Sequence, residues 1–301
     1  MQNNNFAAID IGSNGARLLI KNVKEDTMGN VEFTKVLFLR IPLRLGKDVF
    51  TLGEISEDRE RMMLCMIKSY KQLMKLYQVS TYRACATSAM RDARNGSKIL
   101  KKIRKQTGID IEILDGSEEA KILYNNSIES SESVNGNYAY VDVGGGSTEI
   151  SLLSDGLLVG SCSYNIGTIR LLSGAVAPDV VERMRHDLEG YAAQYPSITI
   201  VGSGGNINKL SRLFHESSKK SKQNVLPVRN LQQIHDEMKP MTLNERIATY
   251  GLKTDRADVI IPAAEIFLTV AKALKCEEIH VPNISLADGI IDGLYKQAIK
   301  A

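Results

Sequence analysis

Tryptophan is absent from this chain of 301 residues, and aromatic side chains make up only 6% of it. No aromatic–basic motif appears, and the net charge is only +3, so a nucleic-acid-binding surface is not expected. That small charge is compatible with an anionic ligand without demanding one. Cysteine is scarce: Cys65, Cys85, Cys162 and Cys276 lie far apart and form no CxxC pair. This argues against a thiolate metal knuckle and for free thiols in a reducing compartment. Four scattered histidines, His186, His215, His235 and His280, with no HExxH and no GxSxG, give no sign of a zinc hydrolase or a serine hydrolase. No apolar run approaches the ~20 residues of a membrane helix. The opening "MQNNNFAAID" lacks the basic-then-apolar pattern of a secretion signal. A soluble cytoplasmic protein without membrane partners is expected.

What is present is an ordinary globular balance, 43% hydrophobic and 24% charged. The length suggests about two domains, at roughly 150 residues each. "FAAIDIGS" (6–13), "ARLLIKNV" (16–23) and "VEFTKVLFLRI" (31–41) read as three strands, the first two joined by an Asn14-Gly15 hairpin. Residues 40–56 read as loop, and 56–77 as a long helix capped by Ser56. Strand 80–87, helix 97–108 closed by Gly108, strand 109–114 and a helix from about Ser117 follow. From residue 137 the plan restarts, with strands at 137–143, 148–154 and 157–165. A helix at 179–194, strand 197–202 and a helix from 205 come next. Residues 216–226 read as a polar, basic loop. Two helices broken at "KPMT", a longer helix at about 257–275, strand "EEIHVP" and a helix from Leu286 end the chain. Alternating strands and helices predict an α/β protein.

The restart is an internal repeat. Asp10-Ile11-Gly12-Ser13 and Asp142-Val143-Gly144-Gly145-Gly146-Ser147 hold equivalent places, 132 residues apart. The expectation is two similar domains facing one another, the two turns lining the cleft between them. Glycines without Cβ let an anion reach backbone N–H groups, and serine hydroxyls add donors. A third turn, "VGSGGNI" (201–207), puts Gly204 and Gly205 before a helix, whose N-terminus also favours an anion. Carboxylates repel phosphate unless a cation lies between. Asp10, Asp142 and Glu149 are hard oxygen ligands suited to Mg²⁺.

With these residues in view, the chain resembles the exopolyphosphatase / guanosine pentaphosphate phosphohydrolase family. The resemblance runs through "AAIDIGSNGARLLI", "ATSAMRDARN", "EILDGSEEAKILYNNS", "VDVGGGSTEI" and "IVGSGGNINKL". It implies two ribonuclease-H-like domains of the actin-like ATPase kind facing an interdomain cleft. Domain I would hold residues 1–122 plus a C-terminal helix from about 287 to 301, and domain II residues 123–286. The implied activity is release of orthophosphate from inorganic polyphosphate with Mg²⁺, or from guanosine pentaphosphate. The resemblance makes Glu119 the catalytic base and Glu149 a second acid near metal or water. It makes Arg91, Ser13 and Asn14 phosphate ligands, with Asp142 and Gly144, Gly145, Gly146 and Ser147 as the second turn. The chemistry agrees, since such hydrolysis needs a positioned water, a base and charge neutralisation, and a guanidinium binds phosphate bidentately. Glu118 reads instead as a helix first-turn acid favoured by the dipole. The basic stretches 101–105 and 219–222 read as solvated. The family also implies a homodimer. The chain departs from it at Ala287, where many members carry arginine, at Asn206 and Asn208, where many carry Thr and Lys, and in stopping after the two-domain core. A kinase and a non-catalytic phosphate or nucleotide sensor are the alternatives on this fold.

Overall fold

The computed structural model describes residues 4–25, 30–129, 135–217, 224–282 and 284–299. The chain divides into two compact units, Met1–Ile122 with Leu286–Ala301, and Leu123–Ser285.

In the first unit β1 (Asn5–Ile11), β2 (Ala16–Glu25) and β3 (Val31–Ile41) form an antiparallel meander. β4 (Thr81–Ala86) and β5 (Glu112–Ile113) add in parallel, giving the order β3-β2-β1-β4-β5. All of β1 is buried, as expected for a strand covered on both faces. On one face pack α1 (Leu45–Leu52), α2 (Glu57–Leu76), α3 (Ser88–Asp92) and α4 (Gly96–Thr107), with Met63, Ile67 and Tyr70 of α2 in the core. The chain's closing helix, Leu286–Ala298, lies against β1, β2 and β4. There Tyr295 stands edge-on to Phe6 and Phe33, and Lys21 pairs with Asp288 at 2.8 Å. Ala287 of that helix is fully buried. α5 (Gly116–Glu129) follows β5.

The second unit repeats the plan. β6 (Asn137–Val143), β7 (Thr148–Ser154) and β8 (Leu157–Tyr164) form the meander. β9 (Thr199–Ser203) and β11 (Glu278–His280) add in parallel, and β10 (Val225–Pro227) caps the edge antiparallel to β11. The order is β10-β11-β9-β6-β7-β8, the first unit's order with one strand added. The repeat reaches fine detail. The third strand of each meander bulges at one valine, β3 at Val36 opposite β2 and β8 at Val159 opposite β7, each four residues before the strand's member of the row beside the turn. Around this sheet lie α6 (Thr168–Leu172), α7 (Pro178–Gln194), α8 (Gly205–Ser217), α9 (Val228–Met238), α10 (Leu243–Tyr250), α11 (Thr254–Ala257) and α12 (Ile260–Ala273). Phe267 of α12 is fully buried in the core. The closing helix is α13. No helix among the described residues is long and apolar enough to cross a membrane.

Several local expectations are corrected. The segment expected to be loop contains α1: Leu45 and Val49 bury one face, and Gly53 ends the helix at φ +77°. Its start carries no cap side chain to signal it, since Arg44 precedes it in a left-handed conformation. The Asn14-Gly15 hairpin exists, but its loop has four residues, closed by Gly12 N–H donating to Gly15 O at 3.1 Å. Neither Asn14 nor Gly15 takes the positive φ of a two-residue turn. The helix expected over about 257–275 is α12, which starts three residues later, at Ile260, and so carries Pro262 in its first turn, where proline is tolerated. Strand 109–114 shrinks to two residues. Of the expected loop 216–226, the start completes α8 and Val225 begins β10, while 218–223, with the basic stretch 219–222, lies outside the described residues.

Candidate active site

In the first unit the first turn is held from two sides. Its carbonyls are taken by α1's approach: Arg44 N–H donates to Asn14 O at 3.0 Å and Gly46 N–H to Ser13 O at 2.8 Å. The buried Ser13 hydroxyl accepts from Ala89 N–H at 3.2 Å, at the start of α3. The segment "ATSAMRD" is thereby docked on the turn. From α3, Arg91 reaches Leu114 O at 2.6 Å. The next residue, Asp115, caps α5: its Oδ1 accepts from Glu118 N–H at 2.8 Å and from the Ser117 hydroxyl at 2.7 Å. Those bonds, the Glu118 N–H first, hold the Asp115 carboxyl below the usual carboxylate range. Arg83 grips Glu112 bidentately at 2.7 and 2.9 Å and Glu118 at 2.8 Å. Glu118 is thus a structural ion-pair partner, while Glu119, in the same first turn of α5, is buried. The first turn, Arg91 and Glu119 are connected through β4, α3 and the 114–115 cap.

Asp10, expected to ligate metal, is buried and paired with Arg17, Nη1 to Oδ2 at 2.6 Å. The two are register partners across β1 and β2.

In the second unit the turn 144–147 has the same length and the same closing bond, Gly144 N–H to Ser147 O at 3.0 Å. Every glycine carbonyl is tied back. Thr168 N–H donates to Gly144 O, Ile169 and Arg170 N–H to Gly145 O, and Arg170 Nε to Gly146 O at 2.7 Å. Gly167 makes this possible, because a Cβ there would stand 2.4 Å from Gly146 N and 2.5 Å from Gly145 C. Thr148, fully buried, donates its hydroxyl to Ile166 O at 2.6 Å. Sequence reasoning missed Gly167, Thr148 and Arg170; the repeat offered a signal, since α6 stands where α1 does.

Beside the turn, Asp142 and Glu149 are register partners across β6 and β7. Each offers a carboxylate oxygen within 4.8 Å of the other. At that distance two ionised carboxylates repel by on the order of 3 kcal/mol at an effective dielectric of 20, unless a cation lies between. Hard oxygen donors in this arrangement fit a small divalent cation. The third turn closes the site's rim. Ser203 is Asp142's partner on β9, and Gly204, at φ +105°, leaves room for Asp142 Oδ1, which a Cβ would approach to 2.9 Å. Gly205 opens α8, with Arg256 Nη2 3.0 Å from where its Cβ would be. The basic stretch 101–105 is the solvated face of α4, with only Ile103 turned inward.

The same folded plan is known from solved structures. A Ppx/GppA family member from Aquifex aeolicus superposes with a TM-score of 0.76 at 27% identity, covering 98% of each chain. An exopolyphosphatase from Cytophaga hutchinsonii gives 0.85 at 22% identity, covering 97% of this chain and 98% of its own. The class is a phosphoanhydride hydrolase on the actin-like two-domain fold. The chain belongs to the Ppx/GppA phosphatase family, whose profile matches residues 23–298. Exopolyphosphatase 1 of Mycobacterium tuberculosis is 25% identical over 303 residues, 95% of this chain and 87% of that protein. The bifunctional 3-dehydroquinate synthase/phosphatase of Fusobacterium nucleatum is 34% identical over 174 residues, 56% of this chain. The match spans only 26% of that longer protein.

Proposed function

We propose that this chain removes the terminal phosphoryl group of inorganic polyphosphate as orthophosphate, in a Mg²⁺-dependent hydrolysis. The observation that carries the reading is the Asp142–Glu149 pair beside a turn whose glycine carbonyls are all taken by donors of α6. Relatives named exopolyphosphatase along most of the chain support the substrate class. Asp142 and Glu149 would hold Mg²⁺, and Asp10 instead balances Arg17. When bound, the cation neutralises charge on phosphoryl oxygens.

The chain's own groups do the rest. Backbone N–H groups of Ser13 and Asn14, of Gly145, Gly146 and Ser147, and of Gly204 and Gly205 receive phosphate oxygens, while Gly12 and Gly144 hold their turns closed by donating to Gly15 O and Ser147 O. The Arg91 guanidinium, braced on Leu114 O, adds a cation for charge developing on the phosphoryl group. Glu119 takes the proton of the attacking water; its neighbour Glu118 is already committed to Arg83. The same reading places the protein in the cytoplasm as a homodimer, which sedimentation would refute by returning a monomer.

The test is orthophosphate release from long and short polyphosphate and from guanosine pentaphosphate, with Mg²⁺ or EDTA. Release should require metal, and Glu119→Gln should lower kcat more than about a hundredfold, the scale of a lost general base. Preference for guanosine pentaphosphate would move the substrate to the nucleotide. No release from any of the three would sink the hydrolase.

A further inference from the structure

Glu149 lies between two neighbours in one row of the second sheet. On the β6 side stands Asp142; on the β8 side stands Ser163, its register partner. The Ser163 hydroxyl donates to Glu149 Oε1 at 3.0 Å. Ser163 is exposed and Glu149 buried. A carboxylate's terminal torsion is broad, so an isolated Glu149 would sample many orientations of its oxygens. A hydroxyl has one proton to give, and here it goes to one oxygen of one acid. The first unit has nothing comparable: Arg40 stands where Ser163 does, beside Arg17 where Glu149 does.

Resting on the metal reading above, we infer that Ser163 is the positioning residue that fixes the Glu149 carboxylate for the divalent cation. It acts through Glu149: from the β8 side, opposite Asp142 on β6, its hydroxyl restrains Glu149 Oε1 and presets the acid pair. Hydrogen-bond partners of metal-binding side chains commonly govern affinity by about ten- to a hundredfold.

The experiment is a Mn²⁺ titration of metal-stripped full-length protein, followed by the EPR signal of free Mn²⁺, with no substrate present. Ser163→Ala should weaken Mn²⁺ binding about tenfold or more. Ser163→Thr, which keeps the hydroxyl, should bind like wild type. Glu149→Gln is the control that removes the ligand, and circular dichroism checks that each variant is folded. If Ser163→Ala binds Mn²⁺ as wild type does while Glu149→Gln does not, the role of Ser163 is wrong and the metal site stands. If wild type and Glu149→Gln bind alike, the metal site itself is wrong, and the role of Ser163 falls with it. A threonine variant as weak as the alanine one would also overturn the inference, since packing rather than the hydroxyl would then be at work.

Discussion

Two rows of side chains, one in each sheet, occupy the same place in the repeat and carry opposite charge. Across the first unit the row reads Arg40, Arg17, Asp10, Cys85. Across the second it reads Ser163, Glu149, Asp142, Ser203. The turns beside them have the same length and the same closing hydrogen bond. The backbone has been kept twice, while every side chain of the row but the aspartate differs, the residue that faces the aspartate from the second strand included. Where that residue is arginine, the aspartate is neutralised within the protein. Where it is glutamate, a second carboxylate oxygen lies within 4.8 Å of the aspartate's instead. Duplicated architecture does not imply duplicated chemistry: the same row holds an Arg17–Asp10 ion pair in one unit and the Glu149–Asp142 acid pair in the other.

The sharpest way to break the comparison is to copy the first row into the second. Glu149→Arg would give Asp142 the partner that Asp10 has. Phosphate release should fall by about a thousandfold, as expected when charge stabilisation worth several kcal/mol is removed. Stability in EDTA should rise, because a repulsive pair becomes an attractive one. Activity kinetics and thermal melts read the two halves separately, and a variant that keeps Mg²⁺-dependent activity would refute the assignment of the acid pair. The reverse exchange, Arg17→Glu, should cost the first unit roughly 3 kcal/mol, since a buried aspartate loses its cation and gains a like charge. Urea melts with and without Mg²⁺ would show it. Restoration of part of the loss by Mg²⁺ would mean that the acid pair alone suffices to create cation dependence.

Much of this was legible before any coordinates, and the reasons are physical. Long strands with β-branched or aliphatic alternation, the repeat of Asp-x-Gly, and Ser56 and Gly108 as helix ends all act locally, so the residues announce them. Glu119 and Arg91 are singled out in the sequence only through family resemblance, because nothing local distinguishes Glu119 from Glu118; in the fold they differ in that Arg83, 35 residues away from Glu118, takes Glu118, while Glu119 is buried. The partner of Asp10 was hidden for a related reason: register, which a four-residue loop sets, decides who faces whom. The short helices α1 and α6 were missed in both copies. They begin without capping side chains, at Arg44 and Gly167, and are held by tertiary hydrogen bonds to the turns.

That last pair sharpens the comparison further. Gly167 and Arg44 precede equivalent helices; Arg44 N–H donates to Asn14 O of its turn, while Gly167 lies so close to its turn that a Cβ would stand 2.4 Å from Gly146 N. Gly167→Ala places a methyl group 2.4 Å from Gly146 N, so backbone must move. The expected loss is about 2 kcal/mol of stability, in the range for overpacking, with weaker Mn²⁺ binding because the turn and its acids move together. Equal stability of Gly167→Ala and wild type in urea melts would show that the turn is softer than its hydrogen bonds suggest.

The smallest effect belongs to the pair of neighbours on α5. Glu118→Gln removes one partner of a partly exposed arginine that keeps its bidentate grip on Glu112. Exposed ion pairs contribute little, so the stability change should stay below about 1 kcal/mol and kcat should not move. Glu119→Gln, one residue on, alters a buried side chain in the same helical turn and should leave the melt close to wild type while lowering kcat more than about a hundredfold. The two variants change the same chemical group at adjacent positions, so helix propensity and dipole effects are nearly matched. A large loss of kcat in Glu118→Gln would mean that Arg83, rather than the buried carboxylate, governs the geometry of this turn. The role given to Glu119 would then have to be shared.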